Sequence, residues 1–171
     1  MLEAFVPESG GQVLINAGNS EVGLCLQAIA LKKGIPLVAC VRRKEAKELI
    51  LQALPKLEDK RVIVEGKGSD LTFEKLAEEK PFTLALNAVG GESALRQLNH
   101  LAFGGKQITY GAMSGKPSRV LANHLIFKNL RLEGFWLHSW TEKVSPDVVR
   151  QKLSELETMS LPLLQPNFFT F

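Results

Sequence analysis

Gln12-Val13-Leu14-Ile15-Asn16-Ala17-Gly18-Asn19-Ser20-Glu21-Val22-Gly23 is the stretch that decides how this chain folds. Its first half, Gln12 to Asn16, is a short apolar run that reads as a strand. A glycine-bearing turn, Ala17-Gly18-Asn19-Ser20, follows at once, and a helical pattern opens behind it. Val22, Cys25, Leu26 and Ile29 fall at offsets of three, four and seven, so the spacing predicts that they share one apolar face. Gly34 stands where a left-handed cap would end that helix. The spacing Gly18-x-Ser20-x-x-Gly23 is a variant of G-x-G-x-x-G. Gly18 would permit a tight exit from the strand, Ser20 is small enough for backbone to approach a pyrophosphate, and Gly23 would let the helix lie close to the sheet. Open amides at the helix start would then face the anion. Glycine turns are common; the strand before and the helix after are what give this one meaning.

Working outward, the alternation continues. Pro36 to Val41 is a near-continuous apolar run, as expected of a strand buried on both faces of a parallel sheet. Residues 45–53 read as helix, Arg61 to Val64 as a third strand, and Leu71 to Glu79 as a polar-faced helix. Phe82 to Val89 is a fourth strand closed by Gly90-Gly91. Leu95, Leu98 and Ala102 are expected to face inward from the next helix, with Gly104-Gly105 stopping it. Gln107 to Tyr110 is a fifth strand and Leu130 to Leu137 a sixth, with one or two helical turns expected within 118–128. Ser145-Pro146-Asp147 combines a cap, a proline suited to the first helical position and an acid for the dipole, and so starts a last helix. Val149, Leu153 and Leu156 would carry that helix inward. Parallel strands need helical crossovers, and right-handed crossovers cover both faces. Six such strands predict a doubly wound six-stranded parallel sheet, a Rossmann fold in the order 3-2-1-4-5-6. Residues 1–160 would form this domain and residues 161–171 a tail.

The second strand ends in Arg42-Arg43-Lys44. A domain for NAD carries an acid there, about twenty residues past the glycine turn, to hold the ribose 2′-hydroxyl. Three cations with no acid before Glu45 favour a 2′-phosphate, because guanidinium offers a planar fork that matches phosphate. The expected cofactor is therefore NADPH. Glu21 opposes this, since like charges 4 Å apart repel by roughly 4 kcal/mol at an effective dielectric of 20. Its side chain should point to solvent. Ligands of open α/β sheets lie at the carboxyl ends of the strands. Asn87 to Gly91, Tyr110 to Met113 and Phe135 to His138 occupy those ends, the first two suited to ribose and nicotinamide and the last to walling off the nicotinamide face.

The 171 residues, 45% hydrophobic and 23% charged, suit one globular domain. A net charge of +3 with no basic face interleaved with aromatics does not suggest nucleic acid. Cys25 and Cys40 sit in apolar stretches without metal-ligand spacing and read as buried reduced thiols. No apolar run approaches the length of a membrane span. Met1 to Phe5 shows neither a basic n-region nor an amphipathic presequence. His138 reads as a surface histidine, and His100 and His124 have no evident partners. Ser20 lacks a hydrolase elbow, and Tyr110 lacks a Tyr-x-x-x-Lys spacing. No catalytic residue is assigned.

Four segments together resemble one family. They are Asn16 to Gly23, Leu86-Asn87-Ala88-Val89-Gly90-Gly91, Thr109-Tyr110-Gly111-Ala112-Met113 and Leu125 to Leu137, and they resemble the mitochondrial trans-2-enoyl-CoA (enoyl-thioester) reductases of the medium-chain dehydrogenase/reductase superfamily. The resemblance covers roughly residues 8 to 160, and its last segment is the most specific. It implies NADPH contacts on Asn19, Ser20, Glu21 and Val22 within the turn Gly18 to Gly23, on Arg42, Arg43 and Lys44, on Tyr110, Gly111, Ala112 and Met113, and on Phe135, Trp136, Leu137 and His138. It further implies hydride transfer to the double bond of a 2-enoyl thioester of CoA or acyl carrier protein, in mitochondrial fatty-acid synthesis. Homodimers joined through the sixth strands are also implied. Glu21 stands where the family has glycine, and the GroES-like catalytic domain with its proton-donating tyrosine has no match here. The chain alone is therefore expected to bind cofactor and reduce little. A quinone or enone reductase of the same superfamily, and a non-catalytic NADPH-binding or dimerisation module, remain open alternatives.

Overall fold

The computed structural model describes residues 10–160. Six strands run in one parallel sheet: β1 (Gln12–Ile15), β2 (Leu37–Val41), β3 (Val62–Val64), β4 (Phe82–Asn87), β5 (Leu101–Thr109) and β6 (Arg131–Gly134). Their order is β3-β2-β1-β4-β5-β6, as the alternation predicts. The helices are α1 (Glu21–Lys33), α2 (Lys44–Ala53), α3 (Ser69–Glu79), α4 (Gly91–His100), α5 (Ala122–Ile126), α6 (Leu137–Lys143) and α7 (Pro146–Ser160). The central strands are buried on both faces, which is why they read as unbroken apolar runs. Leu14, Val38, Cys40 and Ile63 pack with Phe73, Phe82, Leu98 and Leu101 in one layer. Val13, Ile15, Leu37, Ala39 and Leu84 pack with Leu26 and Ala30 of α1 in the other. Burial of this kind contributes roughly 25 cal/mol per Å² of apolar surface.

Several expectations need correction. Val22 is 42% exposed and Cys25 only half-buried, so the inward face of α1 is not Val22-Cys25-Leu26-Ile29. The buried set is Gly23, Leu24, Leu26, Gln27, Ala28, Ile29 and Ala30. A helix lying flat on a sheet and flanked by α2 and α7 buries more than a narrow stripe, and Val22 sits where its first turn emerges. Gly34 caps α1 in the left-handed region, φ 64°.

The chain leaves α4 at His100, so Ala102 lies in β5 and not on a helix. Gly104-Gly105 does not stop the helix. It lies inside β5, where the pairing slips between Phe82↔Leu101 and Leu84↔Lys106. Gly104 has φ 73°, which suits a bulge. Lys128 Nζ donates to the carbonyls of Asn99 (2.6 Å) and Leu101 (2.8 Å). It thereby takes up acceptors that the end of α4 leaves open.

β6 covers only Arg131–Gly134, because α6 takes over at Leu137. The helical turn expected within 118–128 is α5. α7 begins at Pro146 with Ser145 Oγ accepting from Val148 N at 3.4 Å. It lies against α1, with Lys32 Nζ donating to the Thr158 carbonyl at 2.9 Å. Leu153, however, is 54% exposed, so the inward face rests on Val149 and Leu156, both half-buried. The expected tail, 161–171, and residues 1–9 lie outside the described residues.

Candidate cofactor site at the carboxyl ends of the strands

β1 and β4 are neighbours whose crossovers leave to opposite faces, so their carboxyl ends open a crevice. The glycine turn forms one wall. Its left-handed residue is Ala17, φ 50°, and not Gly18. Gly18 is required for a different reason: a Cβ there would stand 2.9 Å from the Ala39 Cβ and 3.3 Å from the Cys40 carbonyl. Its N–H donates to that carbonyl at 2.9 Å. A Cβ on Gly23 would meet the Ala17 oxygen at 2.5 Å and the Gly18 oxygen at 2.8 Å. Gly23 thus lets α1 close on the turn, where closeness to the sheet was expected.

Ser20 is the helix cap. Its Oγ accepts from Gly23 N at 3.1 Å and donates to the Ala17 carbonyl at 2.7 Å. The amides of Glu21 and Val22 lie in the first turn and have no partner among the described residues. Buried Gln27 donates to the carbonyls of Gly18 (2.8 Å) and Gly23 (2.9 Å), tying turn to helix. Asn19 and Glu21 are exposed, so the Glu21 carboxylate faces solvent as expected. Arg42, Arg43 and Lys44 are all exposed at the end of β2, Arg43 being the residue before α2. None of the three makes an ion pair with another described residue, leaving an open cluster of positive charge.

The opposite wall is the turn after β4. Gly90 has φ 78° and Gly91 φ 55°, and a Cβ on Gly90 would stand 2.8 Å from the Lys116 carbonyl. The segment after β5 lies along this turn. Met113 N donates to Ala88 O at 2.9 Å and Ser114 N to Val89 O at 3.0 Å. Gly111 packs beside Ala88, while Ala112 and Met113 are exposed. Tyr110 differs from a ligand-facing residue: it packs with the apolar layer that holds Ile108, Leu86 and Phe135. Its hydroxyl is buried without a partner among the described residues, and burial pushes its pKa up to about 12. At the far end, Phe135 is half-buried and Trp136, Leu137 and His138 are exposed. His138 lies 3.3 Å from Glu142 and its ring centroid is 5.2 Å from that of Trp136.

Beneath the crevice lies a polar chain of which the sequence singles out only Asn87. Asn16 Nδ2 donates to Asn87 Oδ1 (2.8 Å) and to Ser93 Oγ (3.1 Å), while Asn16 Oδ1 accepts from Ala88 N (2.7 Å). Ser93 Oγ donates to the Glu65 carboxylate at 2.9 and 3.0 Å. Asn87 Oδ1 also accepts from Val89 N (3.1 Å) and Gly90 N (3.0 Å), and Asn87 Nδ2 donates to Thr109 Oγ1 at 3.1 Å. Asn87 was expected on the surface of the site; it is fully buried beneath it. Burial raises the Glu65 pKa, opposed by the Ser93 hydrogen bond and the Arg96 charge. The available signal was that two apolar strands each end in asparagine.

The histidines do have partners. His100 Nε2 is 3.2 Å from Asp70 Oδ1 and its ring stacks on Phe73. His124 accepts from Leu121 N and pairs with Asn99 Oδ1 at 2.8 Å. Neither lies at the carboxyl ends of the strands. Among the described residues, no three His, Cys, Asp or Glu side chains come together as metal ligands. Among the described residues, no helix is long and apolar enough to cross a membrane.

Residues 22–155 match the family model described as zinc-binding dehydrogenase. Mitochondrial enoyl-acyl-carrier-protein reductase of Dictyostelium discoideum is 39% identical over 145 residues, 84% of this chain and 41% of that protein. The human protein of the same name is 35% identical over 150 residues, 87% of this chain and 40% of that protein. Among solved structures, a complex of Etr1p with NADP and crotonyl-CoA superposes with TM-score 0.76 at 25% identity, covering 91% of this chain and 45% of that one. The mitochondrial 2-enoyl thioester reductase heterodimer of Candida tropicalis gives TM-score 0.73 at 26% identity, covering 88% and 42%. The chain thus spans less than half the length of these proteins.

Proposed function

The chain belongs to the zinc-binding dehydrogenase family, and from that membership we propose that it is the NADPH-binding domain of a 2-enoyl thioester reductase of mitochondrial fatty-acid synthesis. The names of its relatives support the substrate class and the mitochondrial location. The observation that carries the cofactor is the basic end of β2. Arg42, Arg43 and Lys44 are exposed there without acidic partners among the described residues, beside a glycine turn whose helix amides are open. That combination suits a pyrophosphate at α1 and a 2′-phosphate at the second strand.

Gly18 to Gly23 would seat the pyrophosphate, with Ser20 holding the turn. The backbone from Ala88 to Gly91 and from Gly111 to Met113 would meet the ribose and nicotinamide, and Phe135 to His138 would shield the ring. Bound NADPH supplies the hydride for C3 of the conjugated C2=C3 bond. Residues 1–160 are the cofactor domain, and the proton donor is assigned to the catalytic domain that the family carries. The family's description names zinc, but the donor set in the described residues does not fit that ion. Among the described residues β6 is the edge strand next to β5, and Phe103, Phe127, Leu132 and Trp136 are exposed apolar side chains on or near the last strands. An edge of that kind calls for a cover, which a second copy would provide.

Fluorescence titration with NADPH and NADH tests the cofactor. The expected preference for NADPH is about 100-fold, as two charge-assisted phosphate contacts would give. Replacing Arg42, Arg43 and Lys44 by alanine should abolish it. Equal affinities in the unaltered chain would sink the assignment.

A further inference from the structure

The chain from Glu65 to Thr109 is a directed hydrogen-bond series that joins the ends of β3, β1, β4 and β5. Its polarity is demanded from both ends. The amides of Ala88, Val89 and Gly90 can only donate, so the side-chain oxygens of Asn16 and Asn87 must face them. At the other end, the Glu65 carboxylate can only accept, so the Ser93 hydroxyl must donate to it. The Ser93 lone pair is then free to accept from Asn16 Nδ2. Asn16 bonds toward both ends of the series, to Ser93 on one side and to Asn87 and Ala88 on the other. It lies one residue before Ala17, where the glycine turn begins, and it grips Ala88, where the opposite wall begins.

We propose that Asn16 is a positioning residue, oriented by Glu65 through Ser93, which sets the separation between the glycine turn and the Ala88–Gly91 turn. This rests on the reading that a dinucleotide lies across both turns. The pyrophosphate would be held by the first and the nicotinamide half by the second. Losing the alignment should therefore act on ligands that span the crevice and spare a ligand that reaches only the glycine turn and Arg42 to Lys44.

Two isosteric variants separate orientation from mere packing. In Asn87→Asp, the new carboxylate still accepts from Asn16, Val89 and Gly90, and the Thr109 hydroxyl can turn to donate to it. In Asn16→Asp, both donors vanish. A buried carboxylate then faces the Asn87 oxygen, with Glu65 one hydroxyl away. Asn16→Asp should melt about 5 °C or more below Asn87→Asp. It should weaken NADPH by about tenfold or more, and adenosine 2′,5′-bisphosphate by less than about threefold. Glu65→Gln, which can still accept from Ser93, should keep NADPH within about threefold of the parent. Should Asn16→Asp not fold, Ser93→Ala carries the same comparison of ligands. Equal melting of the two asparagine variants overturns the orientation, and equal loss of both ligands overturns the positioning role. If the unaltered chain binds neither ligand, the cofactor reading falls, and the melting comparison still decides the orientation of Asn16.

Discussion

The hydrogen on Gly23 is a structural component. A methyl group there would meet two carbonyl oxygens of the turn, at 2.5 and 2.8 Å, and both are held in place, that of Ala17 by the Ser20 hydroxyl and amide and that of Gly18 by the Gln27 carboxamide. Gly23→Ala should push α1 away from the turn. We expect a loss of about 1–3 kcal/mol, the usual cost of overpacking, measurable by urea unfolding, together with weakened NADPH binding. A stability within about 0.5 kcal/mol of the parent would contradict the packing argument. Ser20 shows why the variant motif works. Where a glycine would offer only space, serine supplies an oxygen that caps Gly23 N, while its small side chain leaves the Glu21 and Val22 amides open. Asn87 illustrates the opposite lesson, because its position at a strand end did not say whether it faced the ligand or the floor.

Among the elements, α5 is short and mostly exposed, yet it contributes the fully buried His124. The Nδ1 atom accepts from Leu121 N, which leaves Nε2 to donate to Asn99, so the ring is neutral in the fold. Burial lowers its pKa, and the Lys128 charge lowers it further. A depressed histidine contributes stability above its ordinary value of 6.5 and loses it as pH falls through the lower folded value. The unfolding midpoint should therefore drop on acidification from about pH 7 to 5. His100, also lowered by burial, adds to the same trend despite its Asp70 partner. His124→Asn should flatten the dependence; an unchanged slope would show that His124 does not drive it. The register of β5 is likewise an element-scale matter. The pair Gly104-Gly105 marks a bulge rather than an end, because β4 stays available to pair on both sides of it.

Among the described residues, the sheet has a buried edge at β3 and an exposed one at β6. Five of the six strands are flanked or covered, whereas β6 is exposed along its length and Leu132 on it is 41% exposed. If two copies join there, Leu132→Lys should shift the chain from dimer to monomer in sedimentation at micromolar concentration, since charge on an edge strand opposes pairing. A parent chain that is already monomeric would refute the edge-to-edge arrangement. The span of the proposed site also belongs to this scale. The four strand spacings from β2 to β6 put about 19 Å between the basic cluster and the Phe135–His138 segment. That suits an extended ligand laid across the strand ends.

Sheet order, the crossovers and the basic end of β2 were legible because each follows from local chemistry: apolar runs, glycine positions, and charge at the end of a run. The same holds for the cap at Gly34 and the start at Ser145-Pro146. The tertiary structure alone decided which turn residue is left-handed, where α4 gives way to β5, and that Tyr110 turns inward. It alone joined Asn16, Glu65, Ser93, Asn87 and Thr109, which come from the ends of four strands and from α4. Strand ends separated by dozens of residues become neighbours only when the sheet closes its order, and a buried amide shows its orientation only once every donor around it is in place.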